Sequence, residues 1–418
     1  MERRRATPGR GHGSGDGAVT RRHFGRVSMT ATGRRALVLA VAGAVRLLPI
    51  VLADRMVADV QRYHRVATHV LDVSWNPYEA PRLYPYPPVW VWVEAGSEWL
   101  ARHTGWSFPV LVKLPVLAAD LAIVALLAAG GARTGRGLIP AWLYALHPVS
   151  VLVGAFHGQF DAAALFFVLL AVVEFDAGRR DASALALAAA IALKSFPVLL
   201  LPVFLLVPGT TLPERGRFAA LALLPVALLL VPYAVADFGA LRRELFGYGG
   251  IADFGWIGFW RGLRLLHAGV LARSEAPYWG GAIVVSKALT LLAEAALLAA
   301  IAVRRVRWPL GQACLATLLT FLVFYGSVSA QYLLWVVPFG VWIPDRFAAV
   351  HAIVSTMALV GFYSFLAPGV LYPGPAAVLA RPQAGALWVV GTGSVLLASA
   401  AWLGDVAARG RARARAEA

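Results

Sequence analysis

Cysteine is almost missing from this chain, and so is lysine. The single cysteine, Cys314, lies inside an apolar run, so no intrachain disulfide can form and a cysteine-based metal site is excluded. Charge of either sign is scarce: 14% of the 418 residues are charged, against 59% hydrophobic. A soluble domain of this length needs a larger charged fraction, which excludes an ordinary soluble protein. No P-loop, HExxH or GxSxG pattern occurs, so nothing points to a Walker-type nucleotidase, a zinc peptidase or a serine hydrolase.

What is present is a series of apolar runs of about 17–22 residues, each able to cross a hydrocarbon core of about 30 Å. Lipid admits only helices or closed barrels, and continuous apolar runs are helical. The sequence therefore reads as an all-α polytopic membrane protein, with about twelve spans at 36–53, 109–129, 138–156, 161–177, 182–194, 196–207, 218–236, 280–302, 309–327, 330–343, 346–366 and 384–403. Residues 1–35 carry nine Arg among Gly, Ser and Thr and read as a disordered cytoplasmic tail; 36–403 is the transmembrane domain and 404–418 a second basic tail.

The net charge of +16 would suggest nucleic acid in a soluble protein, but here the arginines sit in short clusters between apolar runs. With both termini placed in the cytoplasm, 23 of the 38 Lys and Arg fall on inner segments and 11 on outer ones. The remaining four, Arg46, Lys113, Lys194 and Lys287, lie within spans. That orientation requires 88–102, PVWVWVEAGSEWLAR, to lie on the outer leaflet as an interfacial amphipathic helix, its Glu94, Glu98 and Arg102 forming a polar stripe. It also requires KSFP at 194–197 to break 182–207 into two short helices. Two large outer loops follow, 54–108 and 237–279.

Chemistry-bearing residues gather at this outer face. Asp59 and Tyr63, NPY at 76–78 and YPYPP at 84–88 lie in the first outer loop. HGQFD at 157–161 stands at a junction of two spans, AQYLLW at 330–335 begins another, and Arg261 sits in the second outer loop. Taken one at a time, each has a bland reading. Asp59 competes with Asp54, Asp72 and Glu79 as a solvated loop acid. Asp161 can cap the helix it opens. Lys113 and Lys194 can snorkel, as Lys287 is expected to, and Asp120 can make a structural contact within the bundle. Arg261 competes with Arg242, Arg243 and Arg264. Tyr78, Tyr86, Tyr332 and their aromatic neighbours suit sugar stacking, but an interfacial aromatic belt would look the same.

The order of these motifs and their placement on one face resemble the polyprenol-phosphate-sugar-dependent glycosyltransferases of the GT-C fold. The likeness is to the bacterial mannosyltransferases that extend phosphatidylinositol mannosides and, more distantly, to the GPI mannosyltransferases. It runs from about Arg46 to about residue 343. The resemblance implies an inverting hexosyltransferase, with Asp59 of the D-x-x-x-Y pattern as the acid of the first outer loop and Asp54 in reserve. Lys113, His157, Gln159, Asp161, Lys194, Arg261, Gln331 and Tyr332 would face a polyprenyl-phosphate mannose donor. Tyr63, Tyr78 and Tyr86 would serve a lipid or glycan acceptor or the loop itself. Such a donor already carries its leaving group, so one carboxylate near the acceptor hydroxyl is enough, with its pKa raised by a partly apolar site. The outer loops have no Asp-x-Asp, so no metal or other cofactor is expected. The same fold with arabinose is an alternative. A transporter or lipid flippase is another, which would show inverted repeats and broken helices at the bilayer midplane.

Overall fold

The computed structural model describes residues 30–52, 56–206, 210–274, 276–367 and 379–417. Asp54, the reserve acid, and most of the N-terminal tail lie outside them. The described residues are helical but for turns and one isolated antiparallel bridge between Phe254 and Val328. Six helices are long and apolar enough to cross a membrane, or seven if one bent pair counts as a span. These are α1 (Ala31–Leu52), α4 (Phe108–Arg133), α10 (Leu212–Gly247), α12 (Ala276–Ala302), α15 (Arg346–Leu366) and α16 (Arg381–Ala416). The bent pair is α5 (Ile139–Ala145) and α6 (Pro148–His157), which meet at 44°. The other five expected spans also fall on helices, all of them shorter: α7 (Asp161–Asp176), α8 (Arg180–Leu193), α9 (Phe196–Leu206), α13 (Leu310–Phe324) and α14 (Ala330–Trp342). Six of the twelve expected spans, or seven with the bent pair, thus have the length and composition of a crossing.

Between the long helices lie α2 (Ala58–Asp72), α3 (Trp90–Thr104) and α11 (Gly255–Ala268), all in the two expected outer loops. The 15-residue α3 rises only about 22 Å, too short to cross. Its polar stripe points inward, however. Glu94 and Glu98 are buried while Trp92 and Trp99 are exposed. Glu98 accepts from Arg102 at 2.7 Å and faces His64 at 3.2 Å, and Arg102 also clamps Asp72 through two bonds of 2.7 and 2.8 Å. The stripe thus fastens α3 to α2, because the polar partners are in the protein and the tryptophans face outward. The second outer loop is mostly helix: α10 kinks at Asp237 (φ −156°), whose carboxylate caps the continuation through Ala240 N at 2.8 Å.

Small residues let the spans approach closely. A Cβ on Gly361 of α15 would lie 2.3 Å from Trp388 N of α16, and one on Gly391 would lie 2.6 Å from Ala358 Cα. The break between α5 and α6 is filled by a side chain. Pro148 has no N–H to give the preceding turn. Instead the buried guanidinium of Arg46 on α1 donates to the carbonyls of Ala145 (2.7 Å) and Tyr144 (3.2 Å) and to Ser150 Oγ (2.7 Å). Its Nε pairs with Asp120 of α4 at 3.1 Å, and Tyr144 Oη donates to the other oxygen of Asp120 at 2.6 Å. Asp120 therefore makes a structural contact within the bundle, with Arg46 and Tyr144.

Candidate active site

The last seven residues of α6, Val151–His157, wind as a π-helix and end on Gly158 in the left-handed region (φ +84°). Gly158 is required there twice over: by its dihedral angle, and because a Cβ would sit 3.0 Å from Lys113 Cε and 3.1 Å from Val60 Cγ2. Lys113, fully buried, donates to the Phe156 carbonyl at 2.8 Å. It supports the turn from beneath and does not reach the surface.

This turn delivers His157, Gln159 and Asp161 to one place. His157 Nε2 lies 3.0 Å from Asp59 Oδ2, and its Nδ1 is 2.8 Å from Tyr363 Oη on α15. The two ring nitrogens thus bridge the carboxylate and the tyrosine hydroxyl. Gln159, fully buried, donates Nε2 to Asp59 Oδ2, while its Oε1 accepts from Tyr63 Oη (3.0 Å) and from Lys194 Nζ (3.4 Å). Lys194, in the extended break after α8, also donates to Asp161 Oδ2 and lies 4.4 Å above the Phe160 ring and 5.2 Å from that of Tyr86. Asp161 takes its second bond from Trp335 Nε1 of α14 at 2.6 Å. One polar chain thus runs Trp335, Asp161, Lys194, Gln159, Asp59, His157, Tyr363. It joins segments spread over some three hundred residues.

Asp59 stands in the first turn of α2, with 17% of its side chain exposed. Both of its hydrogen bonds fall on Oδ2; among the described residues none engages Oδ1. Burial pushes its pKa up, but the His157 bond and charge, then Arg62 and Lys194, outweigh burial and lower it to about 2. That is opposite to the upward shift expected from an apolar site. The surroundings are buried but cationic.

The aromatic loop faces inward. Tyr78, Tyr84 and Trp90 are buried, Trp90 stacks on Phe160 at 4.4 Å, and Tyr86 meets the same ring edge-on at 5.0 Å. Tyr78 Oη donates to the Tyr86 carbonyl (2.8 Å) and Tyr84 Oη to that of Pro87 (2.9 Å). These rings form a packed wall behind the polar chain rather than an interfacial belt; Trp75 and Trp92 are the exposed ones. Tyr332 stacks on Trp335 at 4.2 Å, with Gln331 buried beside it. Arg261 is taken up inside its own loop, donating to the carbonyls of Ala272 (2.7 Å) and Ala252 (3.0 Å) and to Asp253 Oδ1 (3.1 Å). Lys287 reaches the Tyr248 carbonyl at 3.3 Å, tying α12 to the same loop.

Four residues of the site escaped sequence reasoning: Arg62, Tyr248, Asp253 and Tyr363. Arg62 lies one turn beyond Asp59 and was one of several loop arginines; only its i, i+3 spacing from the acid could have marked it. A cavity of about 560 Å³ opens there, lined by Arg62, Arg82, Arg243, Glu244 and Tyr248 among others. Burial lowers the affinity of Arg62 for its proton, but the Asp59 charge reverses this and keeps it cationic.

No protein-family model matches the chain, and no curated protein does. Among solved structures, the crystal structure of ArnT from Cupriavidus metallidurans bound to undecaprenyl phosphate is similar. The two are 16% identical over 91% of this chain and 79% of that chain, with a TM-score of 0.47. At that score the functional reading rests on this chain's own residues.

Proposed function

We propose that this protein is a glycosyltransferase that moves a sugar, mannose by its sequence resemblance, from a polyprenyl-phosphate carrier to a hydroxyl of a lipid or glycan acceptor at the outer face of the cytoplasmic membrane. The observation that carries the reading is Asp59: Oδ2 is locked by His157 and Gln159, while Oδ1 is left for an incoming hydroxyl beside a cationic cavity. The acceptor oxygen attacks C1 of the sugar from the face opposite the phosphate. The C1–O bond breaks with its electron pair leaving on the phosphate, and the hydroxyl proton passes to Asp59 Oδ1. A single displacement inverts the anomeric centre. Arg62 meets the charge developing on the phosphate, the larger share of the work. A carboxylate with a pKa of about 2 is a weak base, so its proton transfer follows rather than leads departure of the phosphate.

The transporter alternative gains one supporting feature, the broken span. Transporters use the free carbonyls of such breaks to hold ions; here Arg46 already fills them. The test is transfer from labelled polyprenyl-phosphate mannose in membranes, wild type against Asp59→Asn at matched expression. A loss of roughly 10²–10⁴-fold is expected. Equal rates remove Asp59 from the mechanism, and an inactive wild type returns the transporter reading.

A further inference from the structure

Asp253 is a carboxyl for which the scheme above has no use. It lies in the second outer loop, two residues beyond Ile251, which lines the cavity together with Gly249, Gly250 and Tyr248. Its backbone is held from three sides: its own N–H donates to Ile251 O (3.0 Å), its carbonyl accepts from Trp388 Nε1 (3.0 Å), and the next residue, Phe254, bonds Val328 O at 2.7 Å. The side chain is 15% exposed, with Oδ1 on Arg261 at 3.1 Å. Among the described residues no hydrogen bond engages Oδ2. Asp59 and Asp253 thus share one arrangement: each has one oxygen fixed by nitrogen donors and the other left open. They come from different walls, α2 and the 248–254 loop.

We propose that Asp253 is a second substrate-touching carboxyl of this site, its Oδ2 accepting hydrogen bonds from hydroxyls of the sugar being transferred. The proposal rests on the glycosyltransferase reading. It fits the chemistry of a sugar, whose adjacent hydroxyls are donors that a fixed carboxylate takes strongly. It also gives Arg261 a purpose, since a guanidinium bound to two loop carbonyls orients the carboxyl without competing for Oδ2.

The charged groups facing Asp253 are Arg261 from α11, Asp59 from α2 and His157 from the α6 turn; Tyr248 and Tyr363 lie within the field of both acids. Burial raises the Asp253 carboxyl most. Arg261 and His157 oppose this and Asp59 adds to it, leaving the group at about 6. Asp253 is therefore ionised at neutral pH and protonated just below it, whereas Asp59 stays ionised throughout.

The experiment is the pH profile of kcat/KM for polyprenyl-phosphate mannose, from pH 4.5 to 8.5, in wild type, Asp253→Asn and Asp253→Glu. Wild type should fall as pH drops through about 6. Asp253→Asn should lose roughly 10- to 100-fold at pH 7.5, chiefly through donor KM, and its profile should be flat through pH 6. Asp253→Glu should recover part of the loss. Wild-type kinetics in Asp253→Asn overturn the proposal. So does a depressed rate that keeps the limb near pH 6, which would assign the limb to another group and leave Asp253 a scaffold role. If Asp253→Asn yields no folded protein, Asp253→Glu decides: an unchanged donor KM overturns the proposal and a raised one supports it. A wild type with no transfer at any pH overturns the glycosyltransferase reading and this proposal with it, whereas failure of Asp253 alone leaves that reading standing.

Discussion

Replacing Arg46 with Met keeps much of the volume of the side chain and removes its charge. The guanidinium is fully buried and serves Asp120 Oδ2 (3.1 Å), the carbonyls of Ala145 and Tyr144, and Ser150 Oγ. Tyr144 O and Ser150 Oγ keep each other at 3.3 Å, and Tyr144 O also keeps His147 N at 3.1 Å, so neither is stranded. Asp120 fares worse. Among the described residues its fully buried carboxylate retains only the Tyr144 hydroxyl (2.6 Å). Breaking a buried pair by removing one partner costs about 3–5 kcal/mol, and that is the loss expected for Arg46→Met. Neutralising the survivor should return part of it, so Arg46→Met/Asp120→Asn should be less destabilised than the two single losses added together, with a coupling of about 1–3 kcal/mol. The assay is equilibrium unfolding by SDS titration in mixed micelles, read by tryptophan fluorescence, for the four members of the cycle. Transfer should fall with the fraction of native α6 turn, because that turn carries His157 and Gln159. A coupling within about 0.5 kcal/mol of zero would refute the argument: Arg46 would then fill space at the break without holding it.

Gly154→Ala probes the same network from the other side. A Cβ there lies 2.8 Å from Asp120 Oδ2, and the crowding should cost about 1–3 kcal/mol in the same titration, less in the Arg46→Met background, where the carboxylate is free to shift. Glu94 gives a pH test. Among the described residues neither of its buried oxygens has a hydrogen bond, and burial holds its pKa well above the ordinary value. A raised folded-state pKa favours the fold below the unfolded value and loses that advantage as pH rises toward the folded one. Wild type should therefore weaken by up to about 1.4 kcal/mol for each pH unit crossed above the usual carboxylate range. Glu94→Gln should flatten that slope between pH 5 and 8, measured by thermal unfolding in nanodiscs; an unchanged slope would mean that Glu94 is solvated.

Polar residues stand out in so apolar a sequence, and this is why much of the site was legible. Asp59, Tyr63, His157, Gln159, Asp161 and Lys194 were each visible as a polar group at a boundary, and the structure joins all six in one chain. Their facing was harder to read. The Glu94–Glu98 stripe was visible as a period, but a period does not say which side is water; here the polar side is the protein. The same ambiguity leaves Tyr78 and Tyr86 between a sugar platform and a belt, because an aromatic wall behind a buried lysine has the same composition. Asp253 and Arg62 were hidden for a different reason. Loops carry charged residues as a matter of course, and only the chain's return from Tyr248 to Phe254 beside α2 distinguishes these two. The Arg46–Asp120 contact depends on how α1 packs against α4, which local sequence does not encode.

The buried chain also explains why the acid of this site stays ionised. An isolated carboxylate taken out of water favours its protonated form, and burial pushes Glu94, which has no hydrogen-bond partner among the described residues, well above the ordinary carboxylate range. Asp59 has different neighbours: His157 and Gln159 donate to it directly, and Arg62 and Lys194 add positive potential. Each neighbour is held in turn by another buried residue, Tyr363 behind His157, Tyr63 behind Gln159, Asp161 and Trp335 behind Lys194. Removing an outer member should therefore raise the Asp59 pKa without exposing the site. Trp335→Phe frees Asp161 to draw Lys194 away from Gln159, and the acid limit of transfer, read in the Asp253→Asn background where the limb near pH 6 is absent, should then move upward in pH while the rate at high pH holds. If the limit stays where it is in Asp253→Asn alone, the chain is a structural brace and the ionisation of Asp59 is set by His157 alone.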